Sequence, residues 1–142
     1  MTEKIKGFTD EMLTILVNIG AISLADMKPY NRDRPRNHFS YHSVNAKDFL
    51  EKLVPLIPDS DLDDCQNYSP SIKEIIDGCE RGTILGVGGY IINKERADER
   101  LSIDTIYIPE TIDDAISGNA RGADEVYYAE LDGRNVLGCW YD

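Results

Sequence analysis

Apolar positions in this chain follow a helical period in the first half and an extended period in the second. Met12, Leu13, Ile15, Leu16 and Ile19 recur at helical spacing after a start at Thr9 or Asp10, with Phe8 placed to staple the entry and Gly20 just beyond the end. A second helix is predicted from Ala46 to Val54, capped by Asn45 and stopped by Pro55. The third opens at Ser69-Pro70 and carries Ile72, Ile75 and Ile76 inward to about Cys79, with Gly78 or Gly82 closing it.

From Thr83 onward the pattern is β-rich. Thr83–Asn93 and Leu101–Ile108 form a predicted hairpin around the charged loop 94–100, with Leu101, Ile103, Thr105 and Tyr107 on one face and Ser102, Asp104, Ile106 and Ile108 on the other. The final hairpin turns at Asp132-Gly133, which supplies the positive dihedrals a two-residue turn needs. That turn sets Tyr128 opposite Leu137, Tyr127 opposite Gly138 and Val126 opposite Cys139. Asn37–Val44 also alternates, placing Phe39 and Tyr41 against His38, Ser40 and His42 as a short edge strand. A helical turn is expected over 112–117. The resulting expectation is a single α+β domain spanning 1–142, with about three N-terminal helices followed by a roughly four-stranded antiparallel sheet built from two hairpins.

Composition sharpens the functional side. The formal charge of -11 argues against direct nucleic-acid binding and against anionic membranes, since both draw affinity from Lys and Arg. The expected partner is instead a basic protein. The start of the chain carries no apolar leader, and Cys65, Cys79 and Cys139 are odd in number and widely spaced, so a cytoplasmic address with free thiols is expected.

Candidate motifs for chemistry fail on detail. The glycines at 82, 86, 88 and 89 lack the partners of a dinucleotide fingerprint or a P-loop and are read as places where a strand bends or a neighbouring backbone or aromatic ring comes close. Asp59, Asp61 and Asp63 begin like a calcium loop, but Asp64 and Pro70 stand where glycine and glutamate belong. His38 and His42 share a face without a third ligand. No catalytic residue, metal or cofactor is assigned on this basis.

Charge is unevenly distributed. Residues 28–42 hold four basic residues and one acid, whereas residues 43–142 hold nine basic residues and 21 acids. The basic, aromatic island either neutralises the acidic body internally or grips a small phosphorylated or nucleotide ligand, as substrate or effector, through Arg32, Arg34, Arg36, His38, Tyr41 and His42. The acidic body suggests the favoured reading, a non-enzymatic inhibitor, immunity or regulatory module occupying a basic partner surface. Its contact set is Asp59, Asp61, Asp63, Asp64, Glu95, Asp98 and Glu99. Tyr127, Tyr128, Trp140 and Tyr141 place aromatic side chains on both faces of the last hairpin, which suits a homodimer through that hairpin.

Overall fold

The computed structural model describes residues 2–29, 35–110 and 122–142. The predicted helical turn at 112–117 and the basic residues Arg32 and Arg34 lie outside them. Helix α1 (Thr9–Asn18) is followed by strand β1 (His38–Asn45), the short helix α2 (Ala46–Asp48), helix α3 (Ile72–Arg81), and strands β2 (Gly86–Ile92), β3 (Arg100–Pro109), β4 (Glu125–Leu131) and β5 (Arg134–Trp140). The α+β expectation holds, with two corrections: among the described residues the sheet has five strands, and the helices do not all precede it. The alternating segment after residue 37 pairs antiparallel with β2 and becomes the fifth strand, an edge strand between α1 and α2 in sequence.

Local chemistry explains the helix ends. Asn45 accepts from the Asp48 amide at 2.8 Å, so α2 has the predicted cap. After Asp48 the chain widens into a π-helical turn, Phe49–Leu53, and then tightens into a 3-10 turn, Val54–Leu56. Pro55 cannot donate to Glu51 and its ring collides with that carbonyl, which accounts for the loss of regular α geometry one turn earlier than predicted. Helix α3 starts later than Ser69: Ser71 is its cap, forming a reciprocal capping box with Glu74. Gly82, with φ +80°, closes it, while Gly78 lies inside the helix against Ile84.

Strand order is β1-β2-β3-β5-β4, all neighbours antiparallel. The last hairpin has the predicted register, with Tyr128 opposite Leu137, Tyr127 opposite Gly138 and Val126 opposite Cys139. Strand β3 differs from its predicted phase. Gly88 pairs with Thr105 and Gly89 with Ile103, so Asp104 is an extra residue in the ladder. This bulge shifts the alternation by one: Leu101, Ile103, Ile106 and Ile108 all join the main core, while Thr105 and Tyr107 turn to the other face.

The helices cover one face of the sheet, where Met12, Leu16, Phe49, Leu53 and Ile75 pack on Phe39, Val87, Ile91 and Ile106. A smaller cluster of Tyr107, Leu131 and Val136 sits on the opposite face. At one end the outer strands meet, because the Asn45 amide donates to Asp132 at 2.8 Å.

Candidate functional site

Three of the seven predicted acidic contact residues are taken up inside the chain. Asp61 is 5% exposed and paired with Lys4 at 3.0 Å. Glu99, also 5% exposed, accepts hydrogen bonds from the Gly7 amide (2.8 Å), the Thr9 amide (3.2 Å) and the Thr9 hydroxyl (2.6 Å). It caps the start of α1, a task that neither Thr9 nor Asp10 performs: the residue before the helix, Phe8, has no capping side chain. Asp98 is held between Arg96 at 2.5 Å and Arg100 at 2.6 Å, and these hydrogen bonds, Arg96 first, lower its carboxyl below the usual range. Asp59, Asp63, Asp64 and Glu95 remain exposed. The expected exposed acidic face over 95–99 is therefore corrected: most of that segment's charge is bound within the chain.

Arg36, His38 and Tyr41 of the basic island are likewise held within the chain. Arg36 donates from Nε to the His38 carbonyl at 3.1 Å and lies over the Phe39 ring. His38 stacks on Tyr90 with ring centroids 4.8 Å apart, and burial, aided by Arg96 and Arg36, lowers its pKa. Tyr41 is a core residue, correcting its assignment to a ligand site: its side chain is fully buried and its hydroxyl donates to the Ser102 carbonyl at 2.8 Å, two strands away. His42 is exposed, with its backbone amide bonded to Ala21. Among the described residues no group of three His, Cys, Asp or Glu side chains is arranged to hold a metal.

Sequence reasoning missed Tyr90, Arg96 and Arg100, which gather around His38 and Arg36. Arg100 donates to Ser102 Oγ (3.0 Å), Asp98 (2.6 Å) and the Tyr90 hydroxyl (3.2 Å), while Tyr90 donates to Gln66 (2.8 Å). A cleft of about 150 Å³ lies beside them, between residues 64–70 and the part of β3 that β5 does not pair. Arg100, the cation among its lining residues, already donates to Asp98, Ser102 and Tyr90, which favours internal neutralisation over capture of an anion.

Strand β4 presents a different surface. It is outermost in the sheet, and Val126 and Tyr128 are 42% and 80% exposed although their cross-strand partners Cys139 and Leu137 are buried in the core. Acids bracket the apolar pair: Asp124, Glu125, Glu130 and Asp132 are all exposed. Tyr127, on the other face, lies flat across Gly138, where a Cβ would fall 2.4 Å from the ring. Its hydroxyl is hydrogen-bonded to Tyr107 and Thr105, and burial pushes its pKa up to about 12. Tyr127 is thus anchored to the sheet, whereas Val126 and Tyr128 face solvent.

Two predictions arise from buried titratable groups. Burial raises the Asp104 carboxyl above its ordinary range, against the opposing hydrogen bonds from Thr105 and Trp140. A carboxyl raised in the folded state favours folding below its unfolded pKa, and that contribution is lost as pH rises through the folded value. Asp104→Asn, which keeps an acceptor, should therefore remove a decline in stability that sets in as pH rises above the ordinary aspartate range, read as urea midpoints. Cys79 and Cys139 are buried, which pushes their thiols up to about 12 and about 11, while Cys65 is exposed. Alkylation of the native protein should modify Cys65 alone, and all three thiols after unfolding, as counted by intact mass.

Comparisons with protein-family models, curated proteins and solved structures return no match to this chain. Among the described residues no helix is long and apolar enough to cross a membrane.

Proposed function

We propose that this chain is a non-enzymatic interaction protein that occupies a basic surface of another protein, and that β4 is the surface it uses. One observation carries the reading: Val126 and Tyr128 stand exposed on the outermost strand, bracketed by Asp124, Glu125, Glu130 and Asp132. Apolar and aromatic side chains inside a charged rim are the composition of a protein interface, with the aromatic supplying affinity and the charges supplying orientation and rate. The net charge of -11 adds long-range attraction for cationic partners.

The test is binding to an immobilised panel of basic proteins at low and physiological salt. Association with a panel member should weaken steeply with salt, fall at least ~10-fold in Tyr128→Ala, and fall further in Glu125→Lys/Glu130→Lys. Salt-insensitive binding, or a charge-reversed protein that binds as well as the parent, would overturn the proposal.

A further inference from the structure

The geometry of β4 points to the form in which that partner binds. We infer that it enters as an extended basic segment that adds a sixth strand to the sheet along β4, an inference that rests on the reading above. Asp132 and Gly133 both have positive φ, 51° and 79°, so the hairpin turns through two residues and Leu131 and Arg134 form its first hydrogen-bonded pair. Antiparallel alternation then directs the backbone groups of Glu125, Tyr127, Ala129 and Leu131 toward β5. The N–H and C=O groups of Val126, Tyr128 and Glu130 are directed away from β5, along the outer edge.

Sheet edges that must not pair are blunted by proline, lysine, bulges or a covering segment. The opposite edge shows such devices. β1 is interrupted between Tyr41 and Val44, Ser43 has φ 57°, and the His42 amide on its outer side is bonded to Ala21. β4 has none of the first three: its seven residues pair with β5 in unbroken register and include neither proline nor lysine. Among the described residues its guard is negative charge. Glu130 lies on the face of Val126 and Tyr128, and Glu125 on the face of Tyr127, so acids stand on both sides of the edge. Two antiparallel β4 strands paired about Tyr128 would set Glu130 against Val126 and Glu125 against Leu131 and leave the acids of both copies without counter-charges, which disfavours a second copy as the occupant. An incoming strand with Lys or Arg beside Glu125 and Glu130, and apolar residues beside Val126 and Tyr128, satisfies both the charges and the exposed apolar surface. Recognition by strand addition uses this division, with main-chain bonds supplying affinity and alternate side chains supplying selectivity.

The experiment titrates the full chain with the synthetic peptide Thr-Lys-Thr-Val-Thr-Val-Lys, which in antiparallel register sets lysines beside Glu130 and Glu125 and valines beside Tyr128 and Val126, and with two versions N-methylated on one or the other alternate set of amides. The parent peptide should bind, and one of the methylated versions should lose at least ~10-fold in affinity while keeping all its charge. Tyr128→Pro removes an outward-facing donor and leaves the bonds to β5 in place, so it should bind at least ~10-fold more weakly than Tyr128→Ala. Denaturation midpoints of the two variants should stay close, which shows that the proline has not unfolded the hairpin. Equal binding by all three peptides and by both Tyr128 variants would overturn strand addition, while leaving the acidic-surface reading to stand on its own panel. Failure of every peptide to bind also overturns strand addition. Loss of affinity on methylation with no loss in Glu125→Lys/Glu130→Lys would instead overturn the requirement for a basic partner. A dimer of the parent chain that Tyr128→Pro dissociates would reassign the edge to a second copy.

Discussion

Gly89→Ala is expected to cost about 3–5 kcal/mol, enough to leave much of the protein unfolded at ordinary temperature if its total stability lies in the usual range. A Cβ at position 89 would fall 2.1 Å from the Ser102 carbonyl oxygen, 2.9 Å from its carbon and 3.0 Å from the Ile103 Cα. All three are backbone atoms of the neighbouring strand, so no rotamer change relieves the contact. The strands would have to separate by about 1 Å, in an interior packed to crystalline density. That movement also disturbs the buried hydrogen bond from the Tyr41 hydroxyl to the same Ser102 oxygen, and it falls where the Asp104 bulge already interrupts the ladder. Gly138→Ala is a useful contrast. Its Cβ would meet the Tyr127 ring rather than backbone, and that ring can swing toward solvent at the expense of its hydroxyl's bonds to Tyr107 and Thr105, so a smaller loss of roughly 1–3 kcal/mol is expected. Urea denaturation of the two variants tests the order. A Gly89→Ala protein as stable as Gly138→Ala would mean that the β2–β3 contact is looser than these distances imply.

The same glycines show which parts of the architecture were legible in the chain. Reading them as points of close approach rather than a phosphate loop matches Gly89 against backbone. The Asp132-Gly133 turn was legible because its determinants are local: two adjacent residues with positive φ fix the register of everything they join. The phase of β3 was not legible. Strict alternation puts Ile106 and Ile108 opposite Leu101 and Ile103, yet all four share the core because Asp104 is bulged against two glycines some fifteen residues earlier. The bulge is a property of the strand pair, and no window of β3 alone contains it. Strand order was hidden for a similar reason. Placing β5 between β3 and β4 turns Tyr128 from a half-covered hairpin residue into an exposed one on the outermost described strand. Net charge likewise says nothing of which acids are committed. Asp61, Asp98 and Glu99 look as available as Asp63 or Glu95 until the fold brings Lys4, the arginines and the start of α1 to them.

Glu99 carries the second large effect. Glu99→Ala should destabilise the protein by about 2–4 kcal/mol, and the loss should be felt first in α1. Three donors converge on this carboxylate: the Gly7 and Thr9 amides and the Thr9 hydroxyl, and Thr9 itself is fully buried. Truncation leaves donors at the helix start without an acceptor, in a position that water reaches poorly, so the desolvation cost of each is no longer offset. It also removes a negative charge from the positive end of the helix dipole. Met12, Leu13 and Leu16 are seated on the sheet by this helix, which ties a surface loop between β2 and β3 to the packing of the core. Glu99→Gln retains one acceptor oxygen but turns an amide group toward the remaining donors, so it should recover only part of the loss. The energetic link to Thr9 is separable from a general softening of the loop. In a cycle with Thr9→Ala, the double variant should be less destabilised than the sum of the single variants by roughly 1 kcal/mol, because both substitutions remove the same 2.6 Å bond. Amide exchange should accelerate over Met12–Leu16 before it does in β4 and β5. Additive energies and uniform exchange would place the stability of α1 in its apolar face alone and assign Glu99 no capping role.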